Sequence, residues 1–573
     1  MMNKKFIFGT FILILLTIIF AGSILRAGDV RALSQESINQ SAKIQLSVDL
    51  SASRHAISPY IYGLNFAKES FAKEIDLPVL RWGGNATSRY NWKNGNTNSA
   101  MDWYFENMPE TNSYTGAVET HTQWIDQNIR TSTKSIINIP MIGFVAKDDH
   151  SCSFSIAKYG YQQSADTWRT DCGNGILPNS NYLTGNATTD TSQQVDSTYM
   201  KDWVTSMVSQ YGSAANGGVK FYTLDNEPDL WGETHRDVHP DLLTYDELAT
   251  KMIDYSKAIK SADPGAQVLG YSAYGWESYW YSENDAVTAA GNDYTYFPDY
   301  QTHGNQYHVP WILTQMKNAE QTEGIRLLDY LDLHYYTESG AALSKAGNTA
   351  KKALRLRSTR SLWDPTYTDE SWIGGSDQPV EWRKVMLIAR MHNWIDTYYP
   401  GTKLAITEYN FGGLENINGA LAQADVLGIF GREGVDLANL WNYPNTSDGL
   451  GYEKFETLPG AYAFRMFRNY DGLGGKFGDL SVSAQSSDQS KLAIYAANRS
   501  SDGVLTIIII NKTGKSIKST VLLNNYQSTV KAKVFKYSSS NLKAIKPSTS
   551  IAVKPGGFTS SFPTNSITLI VIP

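Results

Sequence analysis

Short apolar runs alternate with longer amphipathic stretches between residues 57 and 477. Eight of these runs have the length and composition of buried strands: residues 60–66, 79–83, 135–141, 221–225, 268–272, 328–336, 403–410 and 436–443. Between several of them apolar residues recur at helical spacing, as in residues 194–211, 245–262 and 382–398. Eight strand–helix units in succession predict an α/β fold, a TIM-like (β/α)8 barrel over residues 57–477.

The pattern changes near Lys476, where strand-like runs follow one another without helices. Residues 492–497, 504–510, 517–523, 530–537 and 567–572 are β-rich and are separated by turns such as Asp502-Gly503. They predict a second, smaller all-β sandwich domain over residues 478–573. Residues 42–50 also alternate apolar and polar positions but stand alone, so we expect segment 34–56 to add a strand to this sandwich.

The first residues have the pattern of an export signal. Lys4 and Lys5 precede an uncharged apolar run over residues 6–25, which Arg26 ends. We interpret residues 1–33 as an export signal that is cleaved, or as an uncleaved anchor, because the run is close to the ~20 residues that a membrane span needs. The expected location is secreted or extracellular, with residues 6–25 as the only membrane contact if they are retained.

The composition indicates which class of molecule the protein binds. The net charge is −6 and 18 % of residues are charged, which argues against nucleic acid as a partner. The chain has 15 Trp and 35 Tyr, many beside Asn, Gly and Ser. Aromatic faces are good stacking platforms for sugar rings, although a large aromatic core would give the same counts. We expect a monomer that binds a polysaccharide.

The polar loop that follows the third predicted strand holds both cysteines. In an exported chain, Cys152 and Cys172 favour a disulfide over a metal site. Four acidic residues of this loop could hold a structural Ca²⁺, or form a solvated acidic loop: Asp148, Asp149, Asp166 and Asp171. The histidines at 235, 239, 303 and 308 lack the spacing of a compact metal motif. We therefore expect no catalytic metal and no required cofactor.

Two predicted strands end in a glutamate that is suited to glycoside hydrolysis. Glu227 follows the strand 221–225 and precedes Pro228, which cannot continue a sheet ladder. Glu408 ends the strand 403–410, before Gly412-Gly413. In a parallel barrel both would point into one mouth, where a carboxylic acid and a carboxylate can cleave a glycosidic bond. A solvated turn that closes a strand is the alternative for residues 225–228 alone.

Three segments resemble glycoside hydrolase family 44: Leu224-Asp-Asn-Glu-Pro228 with Leu230-Trp231, Ile406-Thr-Glu-Tyr-Asn410 with Gly412-Gly413, and residues 81–92, Arg-Trp-Gly-Gly-Asn-Ala-Thr-Ser-Arg-Tyr-Asn-Trp. The resemblance implies a retaining endo-β-1,4-glucanase that acts on cellulose-type chains and xyloglucan. It implies that Glu227 is the acid/base, that Glu408 is the nucleophile, and that Asn226 binds a sugar 2-hydroxyl. The alternatives are a barrel glycosidase for xylan, mannan or arabinan, and a carbohydrate-binding protein without catalysis.

The remaining candidates surround these two glutamates. Arg81 would keep Glu408 ionised or form a structural ion pair. His334 and Tyr336, two apart on one strand, would orient Glu408 or satisfy buried polar groups. Trp441 is a candidate platform beneath the sugar, and Trp92 and Trp231 are candidates for more distant sugars, with core packing as the alternative. The predicted substrate-binding set is therefore Asn226, Arg81, Trp92, Trp231, His334, Tyr336 and Trp441.

Overall fold

The structure is a computed structural model that describes residues 43–111, 119–442 and 454–573. The predicted export segment and Tyr443, the end of the eighth predicted strand, lie outside these described residues. Among the described residues, no helix has the length and apolar character to cross a membrane.

The strands in chain order are β1 (Leu46–Asp49), β2 (His55–Ala56), β3 (Gly63–Leu64), β4 (Val79–Trp82), β5 (Asn96–Asn98), β6 (Asn107–Pro109), β7 (Lys134–Ile139), β8 (Phe144–Ala146), β9 (Ser192–Gln194), β10 (Phe221–Leu224), β11 (Gln267–Ala273), β12 (Tyr330–Tyr335), β13 (Lys403–Tyr409), β14 (Leu437–Leu440), β15 (Leu480–Ser486), β16 (Leu492–Asn498), β17 (Leu505–Asn511), β18 (Ile517–Asn524), β19 (Val530–Ser538), β20 (Asn541–Val553), β21 (Phe558–Phe562) and β22 (Ser566–Ile572).

The α-helices are α1 (Glu69–Glu74), α2 (His121–Arg130), α3 (Ile156–Tyr159), α4 (Ser197–Tyr211), α5 (Trp231–Thr234), α6 (Tyr245–Ala262), α7 (Glu283–Ala290), α8 (Pro298–Thr302), α9 (His308–Glu323), α10 (Thr349–Ser358), α11 (Leu387–Tyr398), α12 (Ile417–Glu433) and α13 (Pro459–Arg468). Short 3₁₀ helices are formed by Pro59–Tyr62, Asn85–Arg89, Ala100–Trp103, Thr188–Asp190, Ala214–Asn216, Pro228–Leu230, Glu277–Tyr279, Thr359–Leu362, Trp372–Gly374 and Phe455–Thr457.

Eight parallel strands close into a barrel in the order β3, β4, β7, β10, β11, β12, β13 and β14. The barrel closes where β14 pairs with β3, through Asn439 opposite Gly63 and Leu440 opposite Leu64. All eight predicted strands are present, so the predicted barrel is confirmed. The first strand is shorter than predicted, because Ser58 caps a 3₁₀ helix over Pro59–Tyr62 by accepting a hydrogen bond from Tyr60 N at 3.2 Å.

The barrel interior is built in layers. Its lower layer is apolar and takes one residue from each of seven strands: Val79, Ile136, Phe221, Leu269, Tyr330, Ala405 and Leu437. Because side chains on one face of a strand recur every second residue, the next inward layer lies two positions further along each strand. That layer is mostly polar and comprises Arg81, Asn138, Thr223, Tyr271, Asp332, Thr407 and Asn439. The apolar layer thus supports a polar floor below the carboxyl ends of the strands.

The predicted helices are present, two of them with later starts. The range predicted for α6 matches, and its cap is the Thr244 side chain, which accepts from Glu247 N at 3.2 Å. In α4 the Asp196 side chain accepts from Tyr199 N at 3.1 Å, so the helix starts there and Gln194 pairs in β9 instead. Met386 adopts the left-handed region with φ 44°, so α11 begins at Leu387 and not at Trp382.

The remaining large sheet has ten strands, with β20 and β21 at the two ends of its pairing order. The strand β1 lies inside it, antiparallel to β15 and parallel to β18. The sheet packs on the barrel through α12, which is buried from Asn418 to Gly431. At this interface Lys512 of the sheet donates to Asp425 of α12 at 2.7 Å, and both side chains are 2 % exposed. Barrel and sheet therefore share one buried contact surface.

The long connection between β7 and α4 forms a small folded loop of its own. The disulfide Cys152–Cys172 closes it, with the two Cα atoms 5.6 Å apart. Its centre is a separate apolar cluster of Phe105, Phe154 and Leu183. The cysteine pairing expected from the sequence is present, and Phe105 attaches the loop to the segment that follows β4.

Candidate active site

The segment after β10 is held in an unusual backbone conformation by a buried carboxylate. Asp225 and Glu227 have φ angles of 65° and 46°, in the left-handed region that side chains disfavour. The Asp225 carboxylate accepts hydrogen bonds from Ser88 Oγ at 2.5 Å, Met141 N at 2.6 Å and Asn226 N at 2.8 Å. These bonds to two neighbouring loops offset the backbone strain and fix the direction in which Glu227 leaves the strand. This role of Asp225 was not predicted from the sequence.

Glu408 is held from two sides at the carboxyl end of β13. Arg81 Nη1 donates to its Oε1 at 2.6 Å, and the Tyr336 hydroxyl donates to its Oε2 at 2.7 Å. The side chain of Glu408 is 7 % exposed and that of Arg81 is 0 % exposed. Both carboxylate oxygens of Glu408 are therefore held in place by donors from outside β13. The proximity of Arg81 and Tyr336 to Glu408, predicted from the sequence, is present.

His334 contacts Glu227 more closely than Glu408, which differs from the expectation. Its Nδ1 lies 2.7 Å from Glu227 Oε1 and 3.6 Å from Glu408 Oε2. Burial lowers the pKa of His334 to about 4, with the charge of Arg81 acting in the same direction and Glu408 opposing it. At neutral pH the imidazole is therefore uncharged, and it can share a single proton with Glu227 in this hydrogen bond.

The two glutamates lie close together. One carboxylate oxygen of each, together with His334 Nδ1, forms a group whose members lie within 4.8 Å of one another. Among the described residues this is the group of three side chains that is compact enough to hold a divalent ion. His334 Nδ1 is in hydrogen-bond contact with Glu227 at 2.7 Å, whereas Glu408 is held separately by Arg81 and Tyr336.

Burial changes the acidity of Glu227 strongly. It raises the pKa of Glu227 to about 8; the Arg81 charge opposes this rise and the Asp102 charge adds to it. The side chain is still 17 % exposed, so it can reach a ligand in the barrel mouth. A carboxyl group that stays protonated near neutral pH can donate a proton.

Asn226 lies in the loop that follows β10 and is hydrogen-bonded to the loop that follows β4. Its Oδ1 accepts from Arg81 Nη2 at 2.8 Å and from Gly84 N at 3.2 Å, and its Nδ2 donates to Asn85 Oδ1 at 3.1 Å. These three bonds fix the amide beside Glu227. Its binding of a sugar hydroxyl stays a prediction.

The structure corrects three of the predicted substrate contacts. Trp231 is 0 % exposed, because α5 turns its indole into the core, where it packs 5.3 Å from the His239 ring. It cannot stack on a sugar from there. Arg81 and His334 are also completely buried, so both act on the glutamates and do not touch the substrate directly.

The other two tryptophans are more accessible. Trp441 follows β14 and packs edge to face on Phe66, with ring centroids 5.1 Å apart. Its ring also lies against the glycine turn after β4, since a side chain added at Gly84 would come within 3.1 Å of it. Trp441 thus lies at the barrel mouth beside Asn226, which is where a stacking platform for a sugar at the cleavage point has to lie. Trp92 is half-buried and packs 5.7 Å from the Tyr199 ring; its role stays a prediction.

The four aspartates considered for Ca²⁺ are engaged with protein donors or lie apart. Asp166 accepts from Trp168 N and Arg169 N, and Asp171 accepts from Ala157 N and Ser155 Oγ. Asp148 caps the turn to Ser151, and Asp149 contacts His150 on the surface. Within the described residues these carboxylates form no compact group of three metal ligands.

Two further polar residues of the barrel support the site and were not predicted from the sequence. Asp332 accepts from Ser272 Oγ at 2.6 Å and Thr407 Oγ1 at 2.8 Å, below His334. Asn65 Oδ1 accepts from Arg81 Nη1 at 3.0 Å. Asp332 and Asn65 are polar residues within otherwise apolar predicted strands, which is unusual for strands that are buried on both faces. This pattern could have identified them from the sequence.

Comparisons with known proteins agree with this geometry. Residues 96–339 match the profile of glycoside hydrolase family 44. The chain is 35 % identical to Endoglucanase A of Paenibacillus lautus over 483 residues, which is 80 % of this chain and 62 % of that protein. The chain thus spans less than two thirds of the length of that curated relative.

Two solved structures are similar over almost their whole length. CelM2, a bifunctional glucanase-xylanase from a metagenome library, is 40 % identical with a TM-score of 0.86, over 93 % of this chain and 99 % of CelM2. A Paenibacillus polymyxa xyloglucanase from glycoside hydrolase family 44 is 32 % identical with a TM-score of 0.75, over 92 % of this chain and 99 % of the xyloglucanase. Because the chain is 32 % identical to a family 44 xyloglucanase and covers 99 % of it, the chain belongs to glycoside hydrolase family 44 and is a glycoside hydrolase.

Proposed function

We propose that the protein is an exported, retaining endo-β-1,4-glucanase that hydrolyses cellulose-type glucans and xyloglucan. The observation that carries the proposal is the pair Glu227 and Glu408, whose nearest carboxylate oxygens lie within 4.8 Å of each other at the ends of β10 and β13. In retaining glycosidases the two carboxyl groups are ~5–5.5 Å apart, whereas inverting enzymes need ~6.5–9.5 Å to admit a water molecule. The short separation supports double displacement.

In the first step Glu408 is the nucleophile and Glu227 is the acid. A Glu408 oxygen forms a bond to the anomeric carbon, while the bond from that carbon to the glycosidic oxygen breaks. The proton of Glu227 goes to the departing oxygen, which leaves as a hydroxyl of the released chain. Arg81 and Tyr336 keep Glu408 oriented until the glycosyl ester forms.

In the second step Glu227 is the base. It is now a carboxylate and takes a proton from water, whose oxygen attacks the anomeric carbon and releases Glu408. Two inversions at one carbon leave its configuration unchanged. The uncharged His334 beside Glu227 provides a hydrogen-bond partner for the carboxyl group in both protonation states, so the group stays in place between the steps.

The choice of glucan rests on the relatives. One is described as an endoglucanase and another as a xyloglucanase, and both descriptions fit a glutamate pair with Trp441 near it as a stacking surface for a sugar. CelM2 is described as a glucanase-xylanase, so xylan is the second candidate substrate. The proposal of export rests on residues 6–25, which lie outside the described part of the chain.

The direct test is hydrolysis of soluble cellulose derivatives, xyloglucan, xylan and mannan, followed by NMR of the first-formed anomer. We expect β-anomeric reducing ends from glucan or xyloglucan, and a loss of activity of at least ~10³-fold in Glu408→Ala. First-formed α-anomers would contradict the retaining mechanism. Equal rates for the wild-type protein and Glu408→Ala would contradict the assignment of the nucleophile.

A further inference from the structure

Two tryptophans meet on the surface beside the proposed active site, on segments that are far apart in sequence. The Trp103 and Trp168 rings have their centroids 5.6 Å apart, tilted by 31°. Both remain open to solvent, with 40 % of Trp103 and 79 % of Trp168 exposed. An indole that stays in water adds little to the stability of a fold, so two such rings held side by side indicate a binding surface.

The Trp168 side of the pair is held firmly although its ring is exposed. The next residue, Arg169, donates to Glu106 Oε2 at 2.7 Å and to the Asn107 carbonyl at 2.9 Å, and also contacts the His150 carbonyl. The Asp166 carboxylate accepts from Trp168 N at 3.3 Å and from Arg169 N at 3.0 Å. The hydrogen bonds of Asp166 and Arg169 therefore fix the backbone at Trp168. In this backbone conformation the indole ring of Trp168 is exposed to solvent.

The disulfide loop and the Trp103 segment form one rigid unit. Phe105, two residues after Trp103, packs edge to face on Phe154 of the loop, with ring centroids 4.9 Å apart. The Arg236 guanidinium lies 4.4 Å from the Phe105 ring centroid and 4.4 Å from that of Tyr182, a second residue of the loop. The Cys152–Cys172 bond closes the loop around Trp168. The relative position of the two tryptophans is thus set by packing on both sides.

A short chain of hydrogen bonds connects this pair with the catalytic loop. Asn226 Nδ2 donates to Asn85 Oδ1 at 3.1 Å, and Asn85 Nδ2 donates to both carboxylate oxygens of Asp102, at 3.2 and 3.3 Å. Asp102 is the residue before Trp103. The tryptophan pair therefore continues the wall of the mouth that starts beside Glu227.

We propose that Trp103 and Trp168 form an outer glucan-binding platform that holds a polysaccharide chain as it extends away from the catalytic pair. The proposal rests on the proposed function and names a subsite for the same substrate. Sugar rings present an apolar face that stacks on indoles, and two neighbouring indoles offer stacking surface to more than one sugar of the same chain. We expect the platform to favour long chains over oligosaccharides that are too short to span both the platform and the cleavage point.

The test measures binding by titration calorimetry in the full chain carrying Glu408→Gln, with soluble xyloglucan, cellohexaose and cellotriose as probes. We expect Trp168→Ala and Trp103→Ala each to lower the ratio of long-chain to cellotriose affinity by roughly 3- to 10-fold. Tyr294→Ala is the matched control, since Tyr294 is an aromatic side chain that is 66 % exposed and outside this unit. It should leave the ratio unchanged.

A second arm tests the loop itself. The double variant with Cys152→Ser and Cys172→Ser should lower the ratio of long-chain to cellotriose affinity when Trp168 is present. It should lower that ratio little further when Trp168→Ala is already present. Unchanged ratios in both tryptophan variants, with glucan still bound, would overturn the platform and leave the proposed function intact. Absence of glucan binding by every variant, together with absence of hydrolysis by the wild-type chain, would overturn both.

Discussion

Arg81 Nη1 lies 2.6 Å from Glu408 Oε1, and neither side chain has more than 7 % of its surface exposed. The same guanidinium donates through Nη2 to Asn226, next to Glu227. One cation from β4 therefore links the ends of β10 and β13, the two strands that carry the proposed catalytic pair. This contact joins residues 327 positions apart in the chain.

Replacing Arg81 by Met should reduce both activity and stability. The change leaves the Glu408 carboxylate buried without its cation, and breaking one side of a buried ion pair costs ~3–5 kcal/mol. Denaturant unfolding and kcat/KM on the best glucan measure the two effects. Lys73→Met is the control, because Lys73 pairs with Glu69 on the surface and surface pairs contribute ~1 kcal/mol or less. Equal destabilisation by the two changes would contradict this account.

Tyr336→Phe should lower kcat by ~10-fold or more, because it removes the hydroxyl that holds Glu408 Oε2 at 2.7 Å. The neighbouring Tyr335→Phe is the matched control. Its hydroxyl is also buried but donates to Ser361 at 2.7 Å, away from the glutamates. We expect this control to change stability by ~1 kcal/mol and to leave kcat close to the wild-type value. Similar kinetics in both variants would rule out the orienting role of Tyr336.

The pH profile of kcat/KM should fall on the alkaline side, near the pKa of about 8 that burial imposes on Glu227. The acid form donates the proton, so activity is lost as the pH rises and this group ionises. Glu227→Gln should remove most of the activity and, in what remains, the alkaline limb. A wild-type profile that stays flat up to pH 10 would show that another group donates the proton.

The same shift predicts a pH-dependent stability. The folded-state pKa of Glu227, about 8, exceeds the reference value of 4.5, so the folded state binds this proton more tightly than the unfolded state does. The stabilisation is complete below about pH 4.5 and is lost as the pH rises to 8, by ~1.4 kcal/mol for each pH unit in that interval. Glu227→Gln should therefore become more stable relative to wild type as the pH rises. Thermal melts at pH 4, 6 and 8 measure this difference.

The contact between barrel and sheet offers a test by double substitution. Lys512→Met alone leaves Asp425 charged and buried, and should cost ~3–5 kcal/mol. Lys512→Met combined with Asp425→Asn removes both charges, keeps an acceptor for the Tyr495 hydroxyl that donates to Asp425 at 2.8 Å, and should recover much of that loss. Lys491→Met, which removes the partner of Asp488 on the surface, is the control and should cost ~1 kcal/mol or less. A double variant as unstable as Lys512→Met would contradict the role given to the unpaired charge.

The type and order of the barrel strands could be read from the sequence. Strands that are buried on both faces are continuous apolar runs, and this signal marked all eight barrel strands. The strands β15, β20 and β21 of the large sheet were missed because their sequences are rich in Ser, Thr, Lys or Ala and lack a continuous apolar run. Helix starts were misplaced where a cap or a left-handed residue decided the boundary, as at Asp196 and Met386.

The sequence by itself determined the barrel, the added sheet, the cysteine pair and the two strand-end glutamates, because each depends on local pattern or on a short motif. Only the tertiary structure decided which side chains reach the glutamates. It turned Trp231 into the core, placed His334 on Glu227 and buried Arg81 between β10 and β13. It also revealed the roles of Asp225, Asn65 and Asp332, whose partners come from other strands and loops. The physical reason is that periodicity fixes the face on which a residue lies, whereas its partner depends on the closure of the barrel across hundreds of residues.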